Sequence, residues 1–307
     1  MTETHPSNAR FLTLAGMTIR IKSRRPFPFP VNVPVAYRPF LSDDTPPGSA
    51  IEAELKITDR DLPPVSHGDG VFDSGSAWSV YRKGKLHQIV MCPPESAGPL
   101  WIAEFTPFFR HISFFCGPEI LDDSGGLLYD PTGYPLDQIV LMHLLARSGK
   151  GGILHAAGCL HNHDGWVFAG VSGAGKSTIS TLLSRHGVWL PVSDDRVVIR
   201  KRPEGFRLYG TPWPGEAGFA ENIDAPLKGI FLLAQGKENR IEPIRGTDAA
   251  AGLLPLLSVP WYDAELVDRM LGFCEQLIAH VPVRRLVFQP EPDVADMMAA
   301  FMSHHHM

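Results

Sequence analysis

The chain has 307 residues, 44% of them apolar and 20% charged, which is enough interior for one large domain or two smaller ones and excludes large-scale disorder. A formal charge of −5 and a pI near 6.2 leave no global positive field to hold DNA or RNA. Cys92, Cys116, Cys159 and Cys274 stand far apart with no C-x-x-C pair, which argues against a zinc knuckle, a redox motif or a disulfide framework and fits reduced thiols in a cytoplasm.

In chain order, Met1 to Arg10 is polar and lacks the apolar core of a signal peptide, and nowhere does an uncharged apolar run reach bilayer length. A cytoplasmic protein with no membrane and no nucleic-acid partner is therefore expected. The short basic cluster Arg20, Lys22, Arg24 and Arg25 reads as solvated surface. From Phe11 to about Tyr129 short strands alternate with Pro, Gly, Asp and Ser clusters: Met17-Ile21, Ile51-Ile57, Ala77-Tyr81, His87-Met91 and His111-Phe115. Pieces such as Pro26-Phe-Pro-Phe-Pro30 and Asp61-Leu-Pro-Pro64 add irregular connections, and no internal repeat is present. This part is expected to form a β-rich lobe over residues 1–130.

The pattern changes at Tyr134-Pro135, where Pro suits a first helical position, Ile139, Leu141, Met142, Leu144 and Leu145 supply a mostly apolar helix, and Gly149 ends it. Residues 131–307 then read as one α/β domain with a mixed sheet. Strands 153–160 and 166–169 are joined through Asn162-His-Asp-Gly165, with Asp-Gly as the hairpin signal. A helix runs from Lys176 to His186, with Ile179, Leu182 and Leu183 inward and Gly187 as its left-handed terminator. A strand at 188–192 and a hairpin over 196–210, turning through Pro203-Glu-Gly205, follow. Next come a strand (Gly229 to Leu233), helices over Thr247 to Leu257 and Asp263 to Ala279, a strand (Arg284 to Phe288) and a last helix from Pro292. The terminal His304-His-His306 carries no metal assignment.

Gly170-Val-Ser-Gly-Ala-Gly-Lys-Ser-Thr178 matches G-x-x-x-x-G-K-[ST] and lies after a strand and at the opening of a helix, the context that makes the match specific. Gly170, Ser172, Gly173, Ala174 and Gly175 let the backbone curl around phosphates, with Ser177 and Thr178 on the first helical turn. Lys176 brings a point charge to the β- and γ-phosphates, and Ser177 offers its hydroxyl to Mg²⁺. The ligand expected is ATP or another nucleoside triphosphate. Asp194 and Asp195 follow the strand Val188-Trp-Leu-Pro-Val192, where a metal needs a carboxylate and a hydroxyl nucleophile needs a base. The bland alternative is a turn or cap pair. His155, in the strand before the loop, reads on spacing alone as a satisfied core histidine, and His161 and His163 as surface.

His155-Ala-Ala-Gly158, the loop Gly170 to Ser177, the helix end Arg185-His-Gly187 and Ser193-Asp-Asp195 before a hairpin together resemble the catalytic domain of HPr kinase/phosphorylase and HPr-kinase-like proteins, a group related in fold to phosphoenolpyruvate carboxykinase. The resemblance covers roughly residues 150–235. It implies that His155 assists near the γ-phosphate, Asp194 acts as base toward a serine hydroxyl, Asp195 faces the metal and a later glutamate joins it. Glu216 is the candidate for that glutamate, with Glu242, beside Arg245, and Glu221 as rivals. The β-rich front lobe departs from the bifunctional bacterial enzyme, which sets HPr aside as acceptor. It resembles proteins of peptide-modification systems instead, implying a serine in a peptide or small protein. Relatives form oligomers, so a homo-oligomer is admitted. Two other readings stay open: a nucleotide-dependent binding module without transfer, and a kinase of a small metabolite. The latter would use arginines near the site, but Arg196, Arg200 and Arg202 share one strand face and read as solvated hairpin charge.

Overall fold

Short runs such as Met17–Ser23 and residues 51–57 alternate apolar and polar side chains, so they form strands rather than helices. The structure, a computed structural model, describes residues 8–27, 33–44, 50–57, 62–66, 70–75, 77–106, 111–128 and 130–304. Of the segments singled out above, residues 1–7, 28–30, 61, 129 and 305–307 lie outside the described residues. The chain divides into two compact units, residues 1–144 and 145–307.

The first unit holds β1 (Ala9–Leu14), β2 (Met17–Ser23), β3 (Leu41–Ser42), β4 (Ala50–Ile57), β5 (Gly70–Asp73), β6 (Trp78–Lys83), β7 (Leu86–Met91), β8 (Trp101–Phe105) and β9 (His111–Cys116). Among the described residues these form a nine-stranded mixed sheet in the order β3-β1-β2-β4-β9-β8-β7-β6-β5, with β4 parallel to both β2 and β9. The five strands expected here are present. Arg20 and Lys22 pair with Glu52, so half of the basic cluster is locally neutralised.

Helix α1 (Leu136–Ser148) is shared between the units, its residues through Leu144 belonging with the first. The sequence reading placed the boundary near residue 130. The helix start is instead held within the first unit, where Tyr37 Oη donates to Asp137 Oδ2 at 2.8 Å and the Phe105 ring stands edge-on to His143.

The second unit comprises β10 (Gly151–His161), β11 (Asp164–Ala169), α2 (Lys176–His186), β12 (Trp189–Ser193), β13 (Arg196–Arg202), β14 (Gly205–Tyr209), β15 (Asp224–Gln235), β16 (Arg240–Pro243), α3 (Gly246–Leu253), α4 (Ala264–His280), β17 (Val283–Phe288) and α5 (Asp293–His304). The turn between β10 and β11 is Asn162-His163, both at positive φ (49° and 69°), as a two-residue hairpin of the primed type needs. It falls two residues before the Asp-Gly turn expected, and Asp164 and Gly165 are strand residues.

Strand β11 pairs antiparallel with β10 and parallel with β15, so β10, β13, β14, β15 and β11 close into a ring. Beyond it β15 continues to β17 and β16, giving the mixed sheet of an α/β unit. Strand alternation feeds two cores. Leu154, Ala156, Val167 and Ala169 join Met270, Phe273 and Leu277 of α4, while Ala157, Cys159, Trp166 and Phe168 join Ile179 and Leu183 of α2 and Met298 of α5. Each fully buried Leu, Met or Phe contributes about 1.5–3 kcal/mol. The four cysteines are free thiols, all but Cys92 buried. Among the described residues no helix is long and apolar enough to cross a membrane.

Candidate functional site

The loop between β11 and α2 follows from its glycines. Gly173 (φ 79°) and Gly175 (φ 99°) occupy left-handed conformations that a side chain resists, and a Cβ on Gly175 would lie 2.7 Å from Cζ of Phe288. Gly175 caps α2, whose first N–H groups have no partner within the helix. At the other end Gly187 (φ 84°) terminates it, as expected.

Lys176 opens the helix and folds back, its Nζ donating to the carbonyls of Gly170 (3.1 Å) and Val171 (3.2 Å). Burial pushes this ammonium below the usual lysine range; Asp195 and Asp194 oppose that effect and Arg196 reinforces it. Gln235, at the end of β15, donates to the carbonyl of Gly173 at 2.9 Å and braces the loop tip.

His155 lies in β10 directly opposite Arg196 in β13, in phase with Ala157 and Cys159 of the core that α2 covers. Its Nε2 is 2.9 Å from Asp195 Oδ1, while Arg196 Nη1 donates to Asp195 Oδ2. Burial raises the Asp195 carboxyl, but the His155 hydrogen bond and the charges of Arg196, His155 and Lys176 outweigh it and hold the group below the ordinary carboxylate range. Asp195 therefore stays ionised.

Asp194 is placed otherwise than the resemblance implied. It is 0% exposed, and its oxygens accept the N–H groups of Gly215 (2.9 Å), Ala217 (2.7 Å) and Phe219 (3.2 Å). Three amides occupy most of that carboxylate and it lies outside the cleft lining, so the member of the pair that reaches the cleft is Asp195 and not the Asp194 expected as general base. Glu216 sits between two of the tethered amides and is itself exposed.

A cleft of about 420 Å³ collects these parts. Its lining includes His155, Ser172, Gly173, Gly175, Lys176, Ser177, Thr178, Asp195 and Glu216, with Gly215, Gln235, Gly236, Phe288 and Pro290 completing the wall. Gly170 and Ala174 belong to the same loop but not to the lining, and Asp194 lies behind it. The rival acids fall elsewhere: Glu242 pairs with Arg240 and Arg285, and Glu221 is absent from the lining.

Ser177, Asp195 and Glu216 offer oxygen donors of the hard kind Mg²⁺ selects. Among the described residues no three His, Cys, Asp or Glu side chains group as a metal cage. Arg196 is the residue sequence reasoning set aside: Arg202 does bond Tyr209 on the hairpin, but Arg196 turns onto Asp195. Its position one residue after the acid pair was the available signal. Gln235 and Phe288 end adjacent parallel strands at the loop, and nothing local in the sequence marked them.

No protein-family model matches the chain, and no curated protein matches it. Among solved structures it is similar to the Hpr(Ser) kinase/phosphatase from Coxiella burnetii, at 14% identity over 50% of this chain and 90% of that one, with a TM-score of 0.30. That is a distant structural relationship, and it speaks to neither substrate nor reaction.

Proposed function

We propose that the cleft binds a nucleoside triphosphate with Mg²⁺, ATP above others, and transfers the γ-phosphoryl to a serine hydroxyl of a peptide or small protein. One observation carries the reading: the glycine loop, Lys176, the His155–Asp195 pair and Glu216 all face one cleft at a helix N-terminus. Phosphoryl transfer asks a protein mainly for positioning and charge, and these groups supply both.

The backbone around Gly173 to Thr178 and the positive end of α2 receive the phosphates, and the Lys176 ammonium moves from the loop carbonyls onto them. Mg²⁺, held by Ser177, Asp195 and Glu216, would neutralise charge building on the transferring group. As the serine oxygen bonds to phosphorus and the bridge to the nucleoside diphosphate breaks, the hydroxyl proton passes to the His155–Asp195 pair, the cleft's acid–base couple. Arg196 keeps Asp195 oriented throughout.

The test uses co-expression of the chain with small polypeptides encoded beside it. The expected outcome is one phosphate added to a serine of such a polypeptide, lost in Asp195→Asn while that variant still binds the nucleotide. A wild-type chain that binds MgATP yet leaves every polypeptide unmodified would turn the reading toward a binding module.

A further inference from the structure

Resting on that reading of the cleft, we infer that Asp194 is a positioning residue, which folds the segment Gly215–Phe219 around its carboxylate and so presents Glu216 to the nucleotide's metal. A buried carboxylate away from partners costs several kcal/mol, so its three amide donors are the condition of its being there. Those donors come from alternate residues, Gly215, Ala217 and Phe219, more than twenty positions downstream. Such alternation wraps the backbone about a single anion, in the manner of an amide nest.

Two glycines permit the wrap. A Cβ at Gly215 would stand 2.9 Å from Asp194 Oδ2 and 3.2 Å from Asp195 Cβ, so only glycine passes so close to both acids. Gly218 takes φ 78° and donates its N–H to the Gly215 carbonyl at 3.3 Å, closing the turn. Ala220, bridged to Ser193, and Glu221, donating to the Val192 carbonyl, fasten the far end to β12. Glu216 is the residue whose side chain leaves this clamp for the cleft wall. The two adjacent acids thus divide their work by direction, Asp194 toward the protein and Asp195 toward the ligand.

Asp194→Asn tests the idea with little change of volume. Asparagine keeps one acceptor but turns an NH₂ toward an amide N–H, so the clamp must open on one side. Amide hydrogen exchange of the nucleotide-free protein should show Gly215, Ala217 and Phe219 protected in wild type and, in the variant, loss of protection on the opened side, at Ala217 or at Gly215 and Phe219, with α2 and β10 unchanged. Binding titrations of ATP at varied Mg²⁺ should then require about tenfold more Mg²⁺ in Asp194→Asn, in Gly215→Ala and in Glu216→Gln, the usual scale for losing a group that orients a metal ligand. The double variant Asp194→Asn with Glu216→Gln should be no worse than either single change, because both remove one interaction. Unchanged protection, or strictly additive losses, overturns the inference. If wild type itself shows no Mg²⁺-dependent ATP binding, the proposed function fails instead, whereas the exchange result still judges the clamp.

Discussion

At Asp195 burial and charge act in opposite directions, and the positive neighbours win. A carboxyl whose folded-state pKa lies below its unfolded value contributes stability that is fully present above the unfolded value, near pH 3.9, and disappears as pH falls through the lowered one. Urea unfolding should therefore find Asp195→Asn less stable than wild type at neutral pH, with the gap closing below about pH 4; a gap that widens in acid would contradict the assigned partners. The sequence showed that an acid pair follows β12, yet not which member faces outward. That depended on where Gly215 to Phe219 passes, and a segment more than twenty residues away leaves no trace in the local pattern. Gly215, set between Pro214 and Glu216, was the one hint of a close backbone approach.

The helix α2 was legible because several local signals agree on it: a glycine loop before it, apolar residues at helical spacing and Gly187 after it. At its start, Gly175→Ala meets both a left-handed backbone and the Phe288 ring, which together should cost about 2–3 kcal/mol in urea unfolding and abolish nucleotide binding. Retention of wild-type stability would mean the loop is not seated on Phe288. Helix α4 is capped by Asp263, whose side chain accepts the Leu266 N–H at 3.2 Å, so Asp263→Ala should lower stability by about 1 kcal/mol without touching nucleotide affinity. Strands β1 and β8 were missed for opposite reasons. The first carries the buried Arg10, tied to Asp43 and Asp130, inside an apolar run. The second, Trp-Ile-Ala-Glu-Phe, is buried along most of its length and lacks a two-residue period.

On the scale of the whole chain, the second unit is organised by pairings between distant segments: β11 with β15, then β15 with β17. Those parallel contacts carry Gln235 and Phe288 to the loop, and no local periodicity could have announced them. Net charge is negative, so attraction for a triphosphate has to be local, concentrated on Lys176 and the end of α2. The measurement bearing most directly on this is calorimetric titration of wild type and Lys176→Ala with MgATP. The account predicts binding by wild type and an affinity at least about tenfold weaker, 1.4 kcal/mol or more, in the variant. Equal affinities would contradict it, because the phosphates would then lie somewhere other than this loop.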